Sequence, residues 1–312
     1  MDTKLAAGLP AAATRLGIGG GPLGGLFRHV PEDEAIATVE RAWDEGVRLF
    51  DVAPFYGHGR AERLVGSVLR TKPRDSFVLS TKVGRLLRDG AAAAPSAFVD
   101  ADARQPVFDY SGDGVRRSLE ESLGRLGLDR VDVALIHDPE EHLDEAVEDA
   151  YPALAELRRE GVVSAIGVGT NHPSTLVRFA RETDADCALL ANSVTLLDRS
   201  GLDEALPLCA EYGIAVVAGG VFNSGILADP DGAGTYDYAP AGEDARRRVQ
   251  RLRAICERHG VPLATAAVQF PLRQPAVAAV VVGVRTPAEV AANVAAFAAT
   301  IPDELWSDLD DD

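Results

Sequence analysis

Eight short runs rich in valine, isoleucine and leucine recur along the chain, each followed by a longer segment of helical spacing with a charged face. They are Arg15 to Ile18, Val47 to Phe50, Phe77 to Thr81, Val131 to Ile136, Ser164 to Val168, Cys187 to Ala191, Ile214 to Ala218 and Ala278 to Val282. Strands that alternate with helices pair in parallel, because a parallel neighbour is reached only through a crossover. Eight is the number that closes such a sheet around an interior filled by side chains. The expected fold is α/β, a (β/α)8 TIM barrel with long βα loops at its C-terminal face, formed by residues 1–312 as one domain.

The connecting segments carry start and stop signals. Pro31 with Glu32, Asp33 and Glu34, Pro173 with Ser174, and Thr286 with Pro287 each put a cap, a proline or acids at a first helical turn. Gly46 after Glu45 can take the left-handed stop conformation. Two connections are too long for the pattern, Gly84 to Gly114 and Ala228 to Gly242, both rich in Ala, Gly, Pro and Asp. Each follows a strand, so each is expected as a lid or mobile segment where barrel active sites are built.

A chain that is 46% hydrophobic and 25% charged can bury a core without disulfides or metals. A net charge of −17 repels phosphate polymers, which argues against nucleic acid as a partner. Cys187, Cys209 and Cys256 form no CxxC pair and leave one over, so they are expected as reduced core residues. The start of the chain has only Lys4 as a basic residue and Pro10 interrupts its alanines, so no signal peptide is expected. No apolar run approaches the roughly 20 residues of a membrane span. These features predict a soluble cytoplasmic protein, monomeric or a small homo-oligomer, with no membrane partner.

Four polar residues lie at or just past predicted strand ends: Asp51 and Tyr56 after the second, Lys82 at the third, His137 after the fourth. Lysine is scarce, with only Lys4, Lys72 and Lys82, so a lysine in the apolar run Phe77 to Val83 needs a partner, and Asp51 is the candidate. Singly, the lysine could snorkel, the histidine could be structural and the tyrosine could fill a turn. Four such residues converging on one barrel mouth point instead to a site. A lysine beside a phenol is expected to lower the pKa of Tyr56 and make it an acid/base, with His137 orienting a substrate oxygen. His58, His142, Asp138 and Glu140 lie nearby, but their spacing matches no zinc pattern and His142 is expected in solvent, so no metal is expected.

The segment Asp51-Val52-Ala53-Pro54-Phe55-Tyr56-Gly57, Lys82 in Thr81-Lys82-Val83 and His137 in Leu135-Ile136-His137-Asp138 resemble the signature and catalytic tetrad of the aldo-keto reductase superfamily. The resemblance covers nearly the whole chain. It implies a nicotinamide cofactor across the barrel mouth without a Rossmann glycine fingerprint. Asn171 with Thr170 matches the place that holds the carboxamide, Phe222, Asn223, Ser224 and Gly225 the pyrophosphate loop, and Gly283, Arg285, Glu289 and Asn293 the adenosine site. Two places depart from the family. Its glutamine after the sixth strand aligns with Ala191 and Asn192, and its stacking aromatic is replaced within Ala218-Gly219-Gly220-Val221-Phe222.

A carboxylate at Glu289, where relatives that prefer NADP place a basic residue, favours NAD, with Arg285 as a counterweight toward NADP. Leu135 to Pro139, Thr195 to Asp198 and Gly219 to Leu227 look most like aldose dehydrogenases acting on L-fucose, D-arabinose or L-galactose, and like pyridoxal 4-dehydrogenases. That implies oxidation of the anomeric carbon to an aldonolactone with Tyr56 as general base. The alternatives are an NADPH-dependent reductase of aldehydes and ketones, and a nicotinamide-binding regulatory subunit, whose partner-binding tails are not evident.

Overall fold

The computed structural model of the chain describes residues 8–90, 96–232 and 234–311. Lys4 and residues 91–95 of the first long connection, like Ala233 of the second, lie outside the described residues. Among those described, the strands are β1 (Leu16–Gly19), β2 (Leu49–Asp51), β3 (Val78–Val83), β4 (Arg85–Arg88), β5 (Gln105–Phe108), β6 (Val133–His137), β7 (Ala165–Thr170), β8 (Cys187–Ala191), β9 (Ala215–Gly219), β10 (Thr235–Tyr236), β11 (Ala239–Pro240) and β12 (Val277–Gly283). Eight of them close a parallel barrel in the order β1-β12-β9-β8-β7-β6-β3-β2. All eight predicted runs are present, displaced at their ends by at most two residues, as where β2 and β6 begin late and β3 and β7 end late.

Side chains alternate across each barrel strand, and the two faces fill different cores. Leu49, Val78, Val133, Leu135, Cys187 and Leu189 point inward and pack together, with Leu9 and Ala13 closing the floor beside the first residues of the strands. Phe50, Leu79, Ala134, Ile136, Ala188 and Leu190 point outward and pack beneath the helices. Burial on both faces is why these strands read as continuous apolar runs. The three cysteines are buried and unpaired.

Helix α1 (Glu32–Asp44) starts after Pro31 with three acids in its first turn. Gly46 follows its end at φ 85°. Helix α2 (Arg60–Leu69) precedes β3, and α3 (Gly112–Leu126) begins where Ser111 Oγ accepts from Gly114 N at 3.1 Å. The helix Pro287–Ala298 is capped by Thr286, as its sequence predicts. No helix of the described residues is long and apolar enough to cross a membrane.

The two long connections are more ordered than the sequence suggests. Strands β4 and β5 form an antiparallel hairpin inside the first, and β10 and β11 form a smaller one inside the second. Both stand apart from the barrel sheet.

Beneath the first hairpin, Glu62 of α2 is fully buried, accepting from Arg125 Nε at 2.5 Å and Thr81 Oγ1 at 2.9 Å. A buried carboxylate that loses its counter-charge keeps its desolvation cost. Arg125→Met is therefore expected to lower stability by about 3 kcal/mol in urea unfolding, and Arg125→Met combined with Glu62→Met to recover most of the loss. An unchanged midpoint for the single variant would refute the assignment.

Candidate active site

Alternation along the strands also decides which polar groups enter the barrel. In β2, β3 and β6 the inward positions continue upward from Leu49, Val78 and Leu135 to Asp51, Ser80, Lys82 and His137. The interior is thus apolar below and charged at the rim. Lys82 is 1% exposed and Asp51 3%. Lys82 Nζ donates to Asp51 Oδ2 at 2.8 Å, Asp51 Oδ1 at 3.0 Å and Val52 O at 3.0 Å, while Ser80 Oγ donates to Asp51 Oδ1 at 2.9 Å. Burial alone would pull the lysine pKa down, but the Asp51 carboxylate and the Tyr56 oxygen hold its proton, and it ends above that of a free lysine. Its stem needs room: a Cβ on Gly169 of β7 would come within 3.3 Å of Lys82 Cε.

Tyr56 lies in the turn after β2, half-buried, with its ring centroid 4.7 Å from Lys82 Nζ. Gly57, at φ 63°, follows it, and a Cβ there would clash with Gly24 O, so the segment Pro22–Gly24 sits directly on the tyrosine turn. Phe98, from the long connection, stands 6.1 Å from the Tyr56 ring. Its loop is pinned by buried Arg60, which donates to Leu23 O at 2.7 Å and Val30 O at 2.6 Å and pairs with Asp100 at 3.5 Å.

The expected lowering of the Tyr56 pKa is not what the geometry gives. Burial pushes the phenol upward; Lys82 pulls it down and Asp51 adds to the rise. The lysine charge is already matched by the carboxylate, so burial wins and the phenol keeps its proton at neutral pH.

His137 ends β6, buried, with its ring 5.8 Å from that of Tyr56 and edge-on to it. Burial, then the positive charges of Arg85 and Lys82, hold its pKa well below the usual histidine range, so the imidazole is neutral. The unfolded chain binds a proton here below about pH 6.5 and the folded chain does not, so stability must fall as pH drops, by about 1.4 kcal/mol per unit. Urea midpoints measured on either side of that pH should converge in His137→Gln relative to the parent; an unaltered pH dependence would contradict a neutral His137.

His137 Nε2 lies 3.4 Å from Asp138 Oδ2, which also pairs with Arg85 Nη2 at 2.8 Å. Arg85 and the rim position of Asp138 were not anticipated, though an arginine beside the apolar Leu86-Leu87 carries the same signal as Lys82. His58 is buried against Phe55. His142, expected in solvent, packs against Phe108 and Tyr110 with ring centroids 5.3 and 5.4 Å away, because the unforeseen β4–β5 hairpin brings Phe108 over it. Among the described residues no group of three or more His, Cys, Asp or Glu is placed to hold a metal.

Across the mouth, a cavity of about 410 Å³ is lined by Asn171, Asn192, Ser193, Asn223 and Tyr238, among others. Asn192 Nδ2 donates to Asn171 Oδ1 at 2.9 Å, and Asn223 Nδ2 to Asn192 O at 3.2 Å. Of the two residues that align with the family glutamine, Asn192 lines the cavity and Ala191 does not. Asn223 Oδ1 is buried without a partner among the described residues, an acceptor suited to an amide or hydroxyl donor. Ser224 holds the second hairpin: its Oγ accepts from Tyr238 N at 3.0 Å, and Gly225 follows at φ 111°.

Of the expected cofactor contacts, Asn171 and Asn223 line this cavity, while Thr170 and Phe222 turn away from it. Thr170 is buried with its hydroxyl donating to the Glu140 carboxylate, because it points outward from β7. Phe222 packs into the apolar clusters.

Farther along the rim, Gly283 is exposed at the end of β12 and Asn293 lies one turn beyond Glu289 on its helix. Glu289 accepts from Arg285 N at 2.7 Å and from Arg28 Nη2 at 3.3 Å. Arg28, which the sequence did not single out, also opposes the charge of Arg285, whose Nε is buried without a partner among the described residues.

The model of the aldo/keto reductase family matches residues 15–311. A D-threo-aldose 1-dehydrogenase of Pseudomonas sp is 46% identical, with 97% of this chain and 94% of that protein aligned. A pyridoxal 4-dehydrogenase of Microbacterium luteolum is 42% identical over 95% of this chain and 93% of its own, and an L-galactose dehydrogenase of Arabidopsis thaliana 31% over 90% and 83%. A solved aldo-keto reductase of Bacillus halodurans superimposes with a TM-score of 0.78 at 24% identity, covering 96% of this chain and 92% of that one, a likeness of fold. The family uses a nicotinamide cofactor, and the partnerless acceptor of Asn223 and the amide-lined cavity fit one. With an eight-stranded barrel whose charged rim lies beside that cavity, this chain belongs to the aldo/keto reductase family and is an oxidoreductase.

Proposed function

We propose that the protein oxidises the anomeric carbon of an aldose of the L-fucose, D-arabinose or L-galactose type to its aldonolactone, with Asp51, Tyr56, Lys82 and His137 as the catalytic group. The observation that carries this reading is the Asp51–Lys82 pair beneath the Tyr56 phenol, facing neutral His137, in a chain 46% identical to a D-threo-aldose 1-dehydrogenase. A bound nicotinamide supplies the hydride acceptor. Tyr56 takes the proton of the anomeric hydroxyl, His137 Nε2 binds its oxygen, and Lys82 stabilises the ionised phenol. Asn171, Asn192 and Asn223, which line one cavity, would hold the carboxamide end, Ser224 and Gly225 the pyrophosphate, and Gly283, Arg285, Glu289 and Asn293 the adenosine.

Because burial raises the phenol pKa, oxidation requires an ionisation that lies above neutrality. Log kcat for oxidation should rise with a slope near one from about pH 6 upward. A flat profile would remove Tyr56 as the base.

NAD is the proposed cofactor, since the Glu289 carboxylate is held in place by Arg285 N and would oppose a 2′-phosphate. Glu289→Gln should shift kcat/KM toward NADP by about tenfold relative to NAD. No shift would locate the choice in Arg28 and Arg285, the arrangement suited to an NADPH-dependent aldehyde reductase. Three buried, unpaired cysteines support a reducing compartment such as the cytoplasm. Pairing of β1 with β12, near the two ends of the chain, supports one domain.

The deciding assay follows nicotinamide absorbance with NAD or NADP and L-fucose, D-arabinose, L-galactose, L-xylose or pyridoxal. Reduction of NAD by one sugar supports the reading. Turnover of pyridoxal alone would favour the activity for which the 42% identical relative is named.

A further inference from the structure

The rim of the site carries an ion pair that the proposed chemistry leaves unused. Asp138 follows His137 with its backbone at φ 40°, a left-handed conformation that a non-glycine residue adopts at a cost. Its carboxylate is thereby turned so that Oδ2 faces both His137 Nε2, at 3.4 Å, and Arg85 Nη2, at 2.8 Å. Among the described residues Oδ1 has only a long contact of 3.5 Å, with Asn171 Nδ2. The Arg85 guanidinium is fixed between two rings, 4.4 Å from the centroid of Phe55 and 5.2 Å from that of Phe108. Arg85 is 9% exposed, and its Nε has no partner among the described residues.

A planar donor and a carboxylate acceptor, locked side by side next to the atom that binds the reacting oxygen, form a reader for the neighbouring position of a polyol. Adjacent hydroxyls of a pyranose are separated by about one hydrogen-bond length. An oxygen on His137 Nε2 therefore brings the hydroxyl of the next carbon to the pair. We propose that Arg85 and Asp138 determine specificity by binding the C2 hydroxyl of the aldose, which donates to Asp138 and accepts from Arg85. The proposal rests on the sugar-oxidising reading given above.

Three sugars isolate the contact. D-Arabinose and D-ribose differ only in configuration at C2, and 2-deoxy-D-ribose lacks that hydroxyl altogether. The wild type should favour D-arabinose over 2-deoxy-D-ribose by about 100-fold in kcat/KM, and disfavour D-ribose as well. Asp138→Asn should narrow the preference, and the double variant Arg85→Met with Asp138→Leu should reduce it to within about threefold. The double variant leaves no stranded charge, and a ratio of two rates from one preparation does not depend on the folded fraction.

A role confined to orienting His137 would slow all three sugars alike and leave the ratios unchanged, which would overturn the proposal. So would a wild type indifferent to C2. If the double variant turns over none of them, the rise in melting temperature that D-arabinose produces alongside NADH decides: its loss supports the proposal and its retention overturns it. A wild type that oxidises no sugar removes the functional reading and this inference together, whereas oxidation with unchanged ratios removes the inference alone.

Discussion

Tyr56→Phe is expected to lower kcat by about 10³-fold or more, with NAD(H) affinity kept within about threefold. The ring stays in place because its neighbours Phe98, His137 and Lys82 touch the face and edges that phenylalanine retains. Only the hydroxyl is lost, and His137, proposed to bind the same oxygen, is a poor base because its pKa is held far below the usual histidine range. Turnover with the best sugar and a fluorescence titration with NADH separate the two effects. Equal losses in turnover and cofactor affinity would mean that the tyrosine positions the site rather than moving the proton.

Asp51→Leu should have the second large effect, on stability and on turnover. It strands the charge of Lys82 in a position 1% exposed, and removing one member of a buried pair costs about 3–5 kcal/mol. Asp51→Leu combined with Lys82→Met removes both charges and should regain most of that stability. It should regain none of the activity, because no positive charge then remains beside the phenol to stabilise its ionised form. Urea unfolding paired with kcat for the two proteins makes the comparison. Recovery of turnover in the double variant would show that the pair supports the fold alone.

The parts of this molecule legible in the sequence are those governed by short periods. Alternation in Leu49-Phe50-Asp51, Val78 to Lys82 and Val133 to His137 both builds the barrel and aims Asp51, Lys82 and His137 inward, so one pattern gave strands and site together. The hairpins were not legible. Strand β5 is Gln105–Phe108 and includes Pro106, a residue that argues against a strand, and β10 and β11 have two residues each, too short for a period to register. Properties set by distant neighbours were also hidden. Thr170 stands beside the expected carboxamide contact in sequence, yet its hydroxyl donates to Glu140, and Arg28 meets Glu289 across 261 positions of sequence. The direction of the Tyr56 pKa depends on burial by loops whose course no local pattern records.

Neither hairpin belongs to the barrel sheet, yet the first supplies Arg85 and Phe108 and the second Tyr236 and Tyr238 to the rim. Inheritance can therefore act on the two regions separately. Exchanges in the hairpins disturb local free energy and leave the barrel's own hydrogen bonds intact, so new substrates can be sampled by descendants whose proton-transfer apparatus is unaltered. A lineage built this way diversifies in what it accepts long before it changes the reaction it performs.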